Sequence, residues 1–76
     1  MKTVTINLGS IDKVKSFVND ITKFDNDFDL VSGRYVIDAK SIMGIFSLDL
    51  SKAIDLNIHG DKDLDTILEV LKKYEV

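Results

Sequence analysis

The chain has no cysteine, no proline and a single histidine among its 76 residues, and no apolar run approaches membrane-spanning length. Without cysteine there is no disulfide framework, no thiolate metal site and no thiol nucleophile. A reducing compartment suits such a chain, and its stability must come from packing alone. Without proline or a low-complexity stretch there is no visible linker, and a chain this short has room for one core, so residues 1–76 are expected to form a single domain. A surplus of basic charge is missing too. Thirteen acidic residues against ten basic ones give a net charge of −3, and the lysines are scattered, which argues against a nucleic-acid footprint. Met1-Lys2-Thr3-Val4-Thr5-Ile6-Asn7 alternates polar and apolar residues where a signal peptide needs a continuous apolar core. The expectation is a soluble, cytoplasmic monomer with neither nucleic acid nor membrane as a partner.

The usual signatures of catalysis are also lacking. There is no glycine-rich phosphate loop, no nucleophile triad and no suitably placed acid and base pair, so an enzyme is not expected. His59, beside Gly60, shows no base, orienting group or metal co-ligand in its neighbourhood of sequence and reads as a surface or turn histidine. Asp25-x-Asp27-x-Asp29 resembles the start of a calcium loop, but Leu30 stands at the turn-glycine position and Val36 at the closing-glutamate position. Asp61-x-Asp63-x-Asp65 fails in the same way, with Thr66 and Lys72. Both clusters read as solubilising charge, and neither metal nor cofactor is expected.

What the chain does have is clear periodicity. Val4, Ile6 and Leu8 recur at period two, predicting a strand over 2–8 that ends at Gly9-Ser10. Ile11, Val14, Phe17, Val18 and Ile21 follow at helical spacing, with Ser10 as N-cap, Asp12 in the first turn and Lys23 near the end. Phe28 and Leu30, then Tyr35 and Ile37, alternate on either side of Ser32-Gly33, which predicts a hairpin whose glycine supplies a positive φ. Ser41 precedes a short helix over 41–48. Ile54, Leu56 and Ile58 make a fourth strand. Gly60-Asp61 then opens a last helix bearing Leu64, Ile67, Leu68, Leu71 and Tyr74 on one face, with Asp63 and Asp65 near its start and Lys72 and Lys73 near its end. The order βαββαβα, with short strands that are apolar on one face only, predicts an α+β open-faced β-sandwich: a four-stranded antiparallel sheet with three helices on one face.

The segment Lys40-Ser41-Ile42-Met43-Gly44-Ile45-Phe46-Ser47-Leu48 has more apolar residues than so short a helix can bury. Ser41 reads first as the N-cap of that helix. A phosphate on its hydroxyl would lie at the positive end of the helix dipole, beside Lys40. Ile45 and Leu48 fall on the side expected to be core, while Ile42, Met43 and Phe46 fall on the other.

Thr22-Lys23-Phe24-Asp25, Gly33 and Lys40-Ser41-Ile42-Met43-Gly44, at their mutual spacing, resemble HPr, the phosphocarrier family of the bacterial sugar phosphotransferase system. The resemblance implies the open-faced sandwich already read from periodicity. It further implies that Ser41 corresponds to a regulatory serine phosphorylated by a dedicated HPr kinase/phosphorylase, and that Lys40, Ile42, Met43 and Phe46 belong to a surface for docking phosphotransferase-system or regulatory proteins. The family's acceptor motif, Gly-x-His-x-Arg-Pro, is missing. In the ungapped frame running back from Ser41 through Phe24, Ser10 occupies the histidine position and Asp12 the arginine position, within Leu8-Gly9-Ser10-Ile11-Asp12-Lys13. A phosphoryl group on imidazole is a transferable phosphoramidate, whereas a serine phosphate is a stable ester, so Ser10 is no direct substitute. Asp12 would repel the phosphoryl oxygens that an arginine fork supports. The resemblance therefore implies a regulatory or interaction module without a phosphohistidine. A phosphocarrier with an atypical acceptor and a docking module with no phosphorylation at all stand as alternatives.

Overall fold

The computed structural model describes residues Met1–Val76. Its elements run β1 (Lys2–Ile6), α1 (Ile11–Ile21), β2 (Phe28–Ser32), β3 (Tyr35–Asp38), α2 (Ile42–Ile45), β4 (Ile54–Ile58) and α3 (Leu64–Leu71), followed by a single 3₁₀ turn over Lys72–Tyr74. The four strands form one antiparallel sheet in the order β1-β4-β2-β3. This is the expected α+β open-faced sandwich, with its helices on one side.

Alternation within each strand decides which side that is. Val4, Ile6, Phe28, Leu30, Ile54, Leu56 and Ile58 are buried on the helix side, where they meet Val14, Phe17 and Ile21 of α1 and Ile67 and Leu71 of α3. The opposite face carries Thr3, Thr5, Asp29, Val31, Asp55 and Asn57, and it is open to solvent apart from partial shielding of Asp29, Val31 and Asn57. Thr3 bonds to Asn57 and Thr5 to Asp55 across β1 and β4, so polar cross-strand pairs satisfy this face. All sixteen buried residues are apolar or aromatic, so no charge has been desolvated to build the core.

The boundaries differ from the sequence expectations in three places. The first strand stops at Ile6, two residues early, although Leu8 is still fully buried beyond it. The expected helix over 41–48 is one turn, Ile42–Ile45, after which the backbone tightens through Ser47 N–H to the Gly44 carbonyl (3.1 Å) and Leu48 N–H to the Ile45 carbonyl (3.0 Å). The last helix begins only at Leu64. Asp63 precedes it in the left-handed region (φ 55°) without a side-chain cap, so the chain reaches α3 through a strained residue rather than a capped start.

A polar clamp fastens the end of the chain to α1. The Tyr74 hydroxyl donates to Asp20 Oδ2 at 2.7 Å and stands 2.7 Å from Ser16 Oγ, whose own proton completes the pair. Lys73 Nζ reaches the same Asp20 oxygen at 3.0 Å, and the Tyr74 ring meets Phe17 edge-on at 5.5 Å between centroids. Partial burial works to raise the Asp20 pKa, but the hydrogen bonds from Tyr74 and Lys73 outweigh it and hold the carboxyl below its ordinary value. A carboxylate with a depressed folded pKa stabilises the protein above its unfolded pKa, and that contribution is lost as pH falls through the lower, folded value. Tyr74→Phe is therefore expected to cost about 1–2 kcal/mol at pH 7, a deficit that narrows below about pH 4. Urea unfolding of both proteins at pH 7 and pH 3 measures it.

Candidate functional site

Ser10 lies at the start of α1 with extended backbone, and its Oγ accepts the Lys13 N–H at 3.1 Å, as its N-cap reading requires. Asp12 follows, exposed, in the first turn. Neither side chain meets a histidine, because His59 belongs to the end of β4.

Ser41 repeats the arrangement at α2, where its Oγ accepts the Gly44 N–H at 3.3 Å. The serine remains exposed. Gly44 is held tightly: a Cβ there would come within 3.3 Å of Ser41 Oγ and 3.4 Å of Ile37 Cδ1. The missing side chain thus lets α2 settle closely onto β3 and keeps the cap in reach.

Four residues beside Ser41 were expected to form a contact surface, and the structure separates them. Met43 is 78% exposed and Phe46 40% exposed. Ile42 is half-buried and packs against the core, because one turn of helix laid on β3 cannot hold both neighbouring residues away from it. Ile45 is fully buried and Leu48 packs against the core, as their side of the helix predicts. Lys40 departs from expectation. Its Nζ donates to the Phe24 carbonyl at 2.7 Å and lies 5.6 Å from the centre of the Phe28 ring. The ammonium is thus committed to tying the loop after α1 to the start of α2, and it does not stand free beside Ser41. With only one turn in α2, the helix dipole invoked for a phosphate there is correspondingly small.

His59 has a partner that local sequence does not reveal. Its Nε2 is 2.6 Å from Asp29 Oδ2, with the two side chains 42% and 35% exposed. Asp27 and Asp38 line the same shallow depression, and Asp38 is directly opposite Asp29 in the β2–β3 register. The expectation of an unpartnered turn histidine is corrected accordingly. Nearby, the Asn26 amide holds two loop carbonyls, those of His59 (3.1 Å) and Lys62 (3.0 Å), fastening the β4–α3 turn to the segment before β2. The calcium-like runs at Asp25–Asp29 and Asp61–Asp65 belong to these turns, and no group of three or more acidic or histidine side chains has a metal-holding arrangement. No helix is long and apolar enough to cross a membrane.

These elements define an open-faced α+β sandwich whose first two helices each begin at a serine. A scan against protein-family models finds no match, and no curated protein matches by sequence. Solved structures do. HPr-C-His from Thermoanaerobacter tengcongensis superposes with a TM-score of 0.79 at 30% identity, over 96% of this chain and 89% of that one. The phosphocarrier protein HPr from Bacillus anthracis str. Ames gives 0.72 at 28% identity, over 99% and 94%. The chain belongs to the HPr family and is a phosphocarrier-related protein.

Removing the cap tests the local role of Ser41. Ser41→Ala is expected to cost about 1 kcal/mol and Ser41→Asp to recover most of it, as read by chemical denaturation.

Proposed function

We propose that this protein is a cytoplasmic, non-enzymatic regulatory member of the phosphotransferase system. It does not carry phosphohistidine, and it docks protein partners through the surface around α2, with Ser41 as its phosphorylation site. The observation that carries this reading is that the start of α1 presents Ser10 followed by Asp12, while the only histidine lies among carboxylates on the open face of the sheet. A phosphoryl group placed on His59 would bring negative charge close to Asp27, Asp29 and Asp38, which opposes that residue as an atypical acceptor. At Ser10 it would share the first turn of α1 with the carboxylate of Asp12.

Ser41, by contrast, is exposed to a kinase, and Met43 and Phe46 stand exposed on the same short segment. Methionine adapts its shape to a partner and phenylalanine supplies contact area. These two form the centre of the proposed docking surface, with Ile42 as its half-buried floor and the Lys40 stem at its margin. The partners proposed are HPr kinase/phosphorylase and other phosphotransferase-system or regulatory proteins.

Two incubations separate this reading from its alternatives. With ATP and HPr kinase, the intact mass is expected to rise by one phosphoryl group, and Ser41→Ala to abolish the rise. With phosphoenolpyruvate and enzyme I no transfer is expected, and transfer there would make the protein a true carrier. Modification in neither leaves a docking module without phosphorylation. Met43→Asp is expected to weaken kinase binding about tenfold, equivalent to about 1.4 kcal/mol, with an unchanged unfolding midpoint because Met43 contributes little to the core.

A further inference from the structure

The two edges of the sheet are finished differently. The chain itself covers the Thr5–Asn7 end of β1: Asn7 N–H donates to the Tyr74 carbonyl at 2.8 Å, Val76 N–H donates to the Thr5 carbonyl at 3.3 Å, and Ile6 bridges to Glu75. Nothing comparable covers β3. The two-residue turn Gly33-Arg34 joins Ser32 to Tyr35, with Gly33 at φ +60° as the II′ class requires. In such a hairpin the closing residues exchange hydrogen bonds and the pattern then alternates, so Tyr35 and Ile37 bond to β2 while Val36 turns its N–H and C=O outward. No turn, loop or cap hydrogen bond reaches Val36.

An unpaired strand edge is a template for another strand, and proteins usually blunt it with lysine, proline or a bulge. Tyr35-Val36-Ile37-Asp38 has none of these, and its protection is limited to its four-residue length and the charge of Asp38. Apolar surface gathers there instead. Tyr35 and Val36 are 64% and 62% exposed, and Met43 and Phe46 lie on α2, which packs on β3.

We propose that β3 pairs antiparallel with β3 of a second copy of this chain, about a two-fold axis through Val36. Val36 then lies opposite the partner's Val36, Tyr35 opposite the partner's Ile37, and Arg34 opposite the partner's Asp38. Charge selects this register. Arg34 is the only arginine in the chain and Asp38 is exposed, and neither forms an ion pair within one copy. The Asp38 Oδ1 accepts the Lys40 N–H at 2.9 Å, leaving Oδ2 free. Alternation places Val36 and Asp38 on the open face, and Arg34 is the turn residue next to β3, so the dimer gains a valine pair flanked by two arginine–aspartate pairs. An axis through Asp38 or Arg34 would set like charges directly opposite each other, which is unfavourable. The two sheets join into one of eight strands. Four residues of edge bury far less than the roughly 1,200 Å² of a stable interface, so the association is reversible and concentration-dependent. It replaces the monomer expected from the sequence at high protein concentration.

Sedimentation equilibrium of the full chain is expected to show monomer at about 1 µM and substantial dimer at about 1 mM, with Arg34→Asp weakening association at least tenfold. Because the chain has no cysteine, Val36→Cys introduces a single thiol on the axis, at a Cα separation of about 5.5 Å that a disulfide spans. Under mild oxidation it is expected to crosslink at least tenfold faster than Thr3→Cys, an exposed position on β1 at the other edge of the sheet. A native chain that stays monomeric at about 1 mM, an Arg34→Asp variant that associates like the native chain, or equal crosslinking of the two cysteine variants would each overturn the proposal.

Discussion

Everything in this fold depends on β4 lying between β1 and β2. Leu56 is paired with Val4 on one side and Leu30 on the other, and Leu30 continues to Ile37, so one apolar row crosses all four strands on the helix side. Ile54 beside Ile6, and Ile58 beside Phe28, make parallel rows. A one-residue slip of β4 would turn its three buried residues to solvent and its Asp55 and Asn57 into the core, which fixes the register strongly. Once that register is set, the helices have one face to cover, and the open face receives Thr3, Asp55, Asn57 and Asp29 without further choice. The neighbourhood of His59 follows from the same pairing, since it brings the end of β4 alongside the start of β2.

Around this sheet, polar side chains act mainly as fasteners. Ser10 and Ser41 satisfy helix-start N–H groups, Lys40 closes the gap to the Phe24 carbonyl, Asn26 holds the β4–α3 turn, and Tyr74 with Asp20 secures the last turn to α1. In a domain this small the core alone provides limited stability, so such local bonds carry a larger share than they would in a bigger protein. The proposed function accordingly draws on what remains unfastened. Ser41 is exposed even while capping α2, and the apolar residues left over after core packing cluster on α2 and β3. The proposed docking surface and the proposed pairing edge thus lie on neighbouring elements, α2 and β3.

Much of this was legible in the linear order of residues. The period-two runs at Val4–Ile6, Phe28–Leu30 and Ile54–Ile58 and the helical spacing from Val14 to Ile21 report burial directly, because a side chain's face is set by local geometry. Gly33 and the two capping serines are equally local, their chemistry acting within three residues. The Tyr74–Asp20–Ser16 clamp, the Lys40–Phe24 bond and the His59–Asp29 contact were not legible, since the partners are 16 to 58 positions apart and meet only after the strands have paired. The four residues grouped as a docking surface show the same division. Spacing separates Ile45 from Met43 correctly, but how far Ile42 sinks depends on the closeness of α2 to β3, which Gly44 permits.

By itself, then, the sequence determined element type, the buried face of each strand, the two serine caps and the absence of a histidine at the start of the first helix, because each of these is decided over a few neighbouring residues. The tertiary structure alone decided that α2 is a single turn, that Lys40 is spent on a carbonyl, that His59 is paired with Asp29, and that the last residues of the chain cover the Thr5–Asn7 end of β1 while β3 has no such cover. Those outcomes depend on which distant segments come into contact, and strand pairing across the sheet is the event that chooses them.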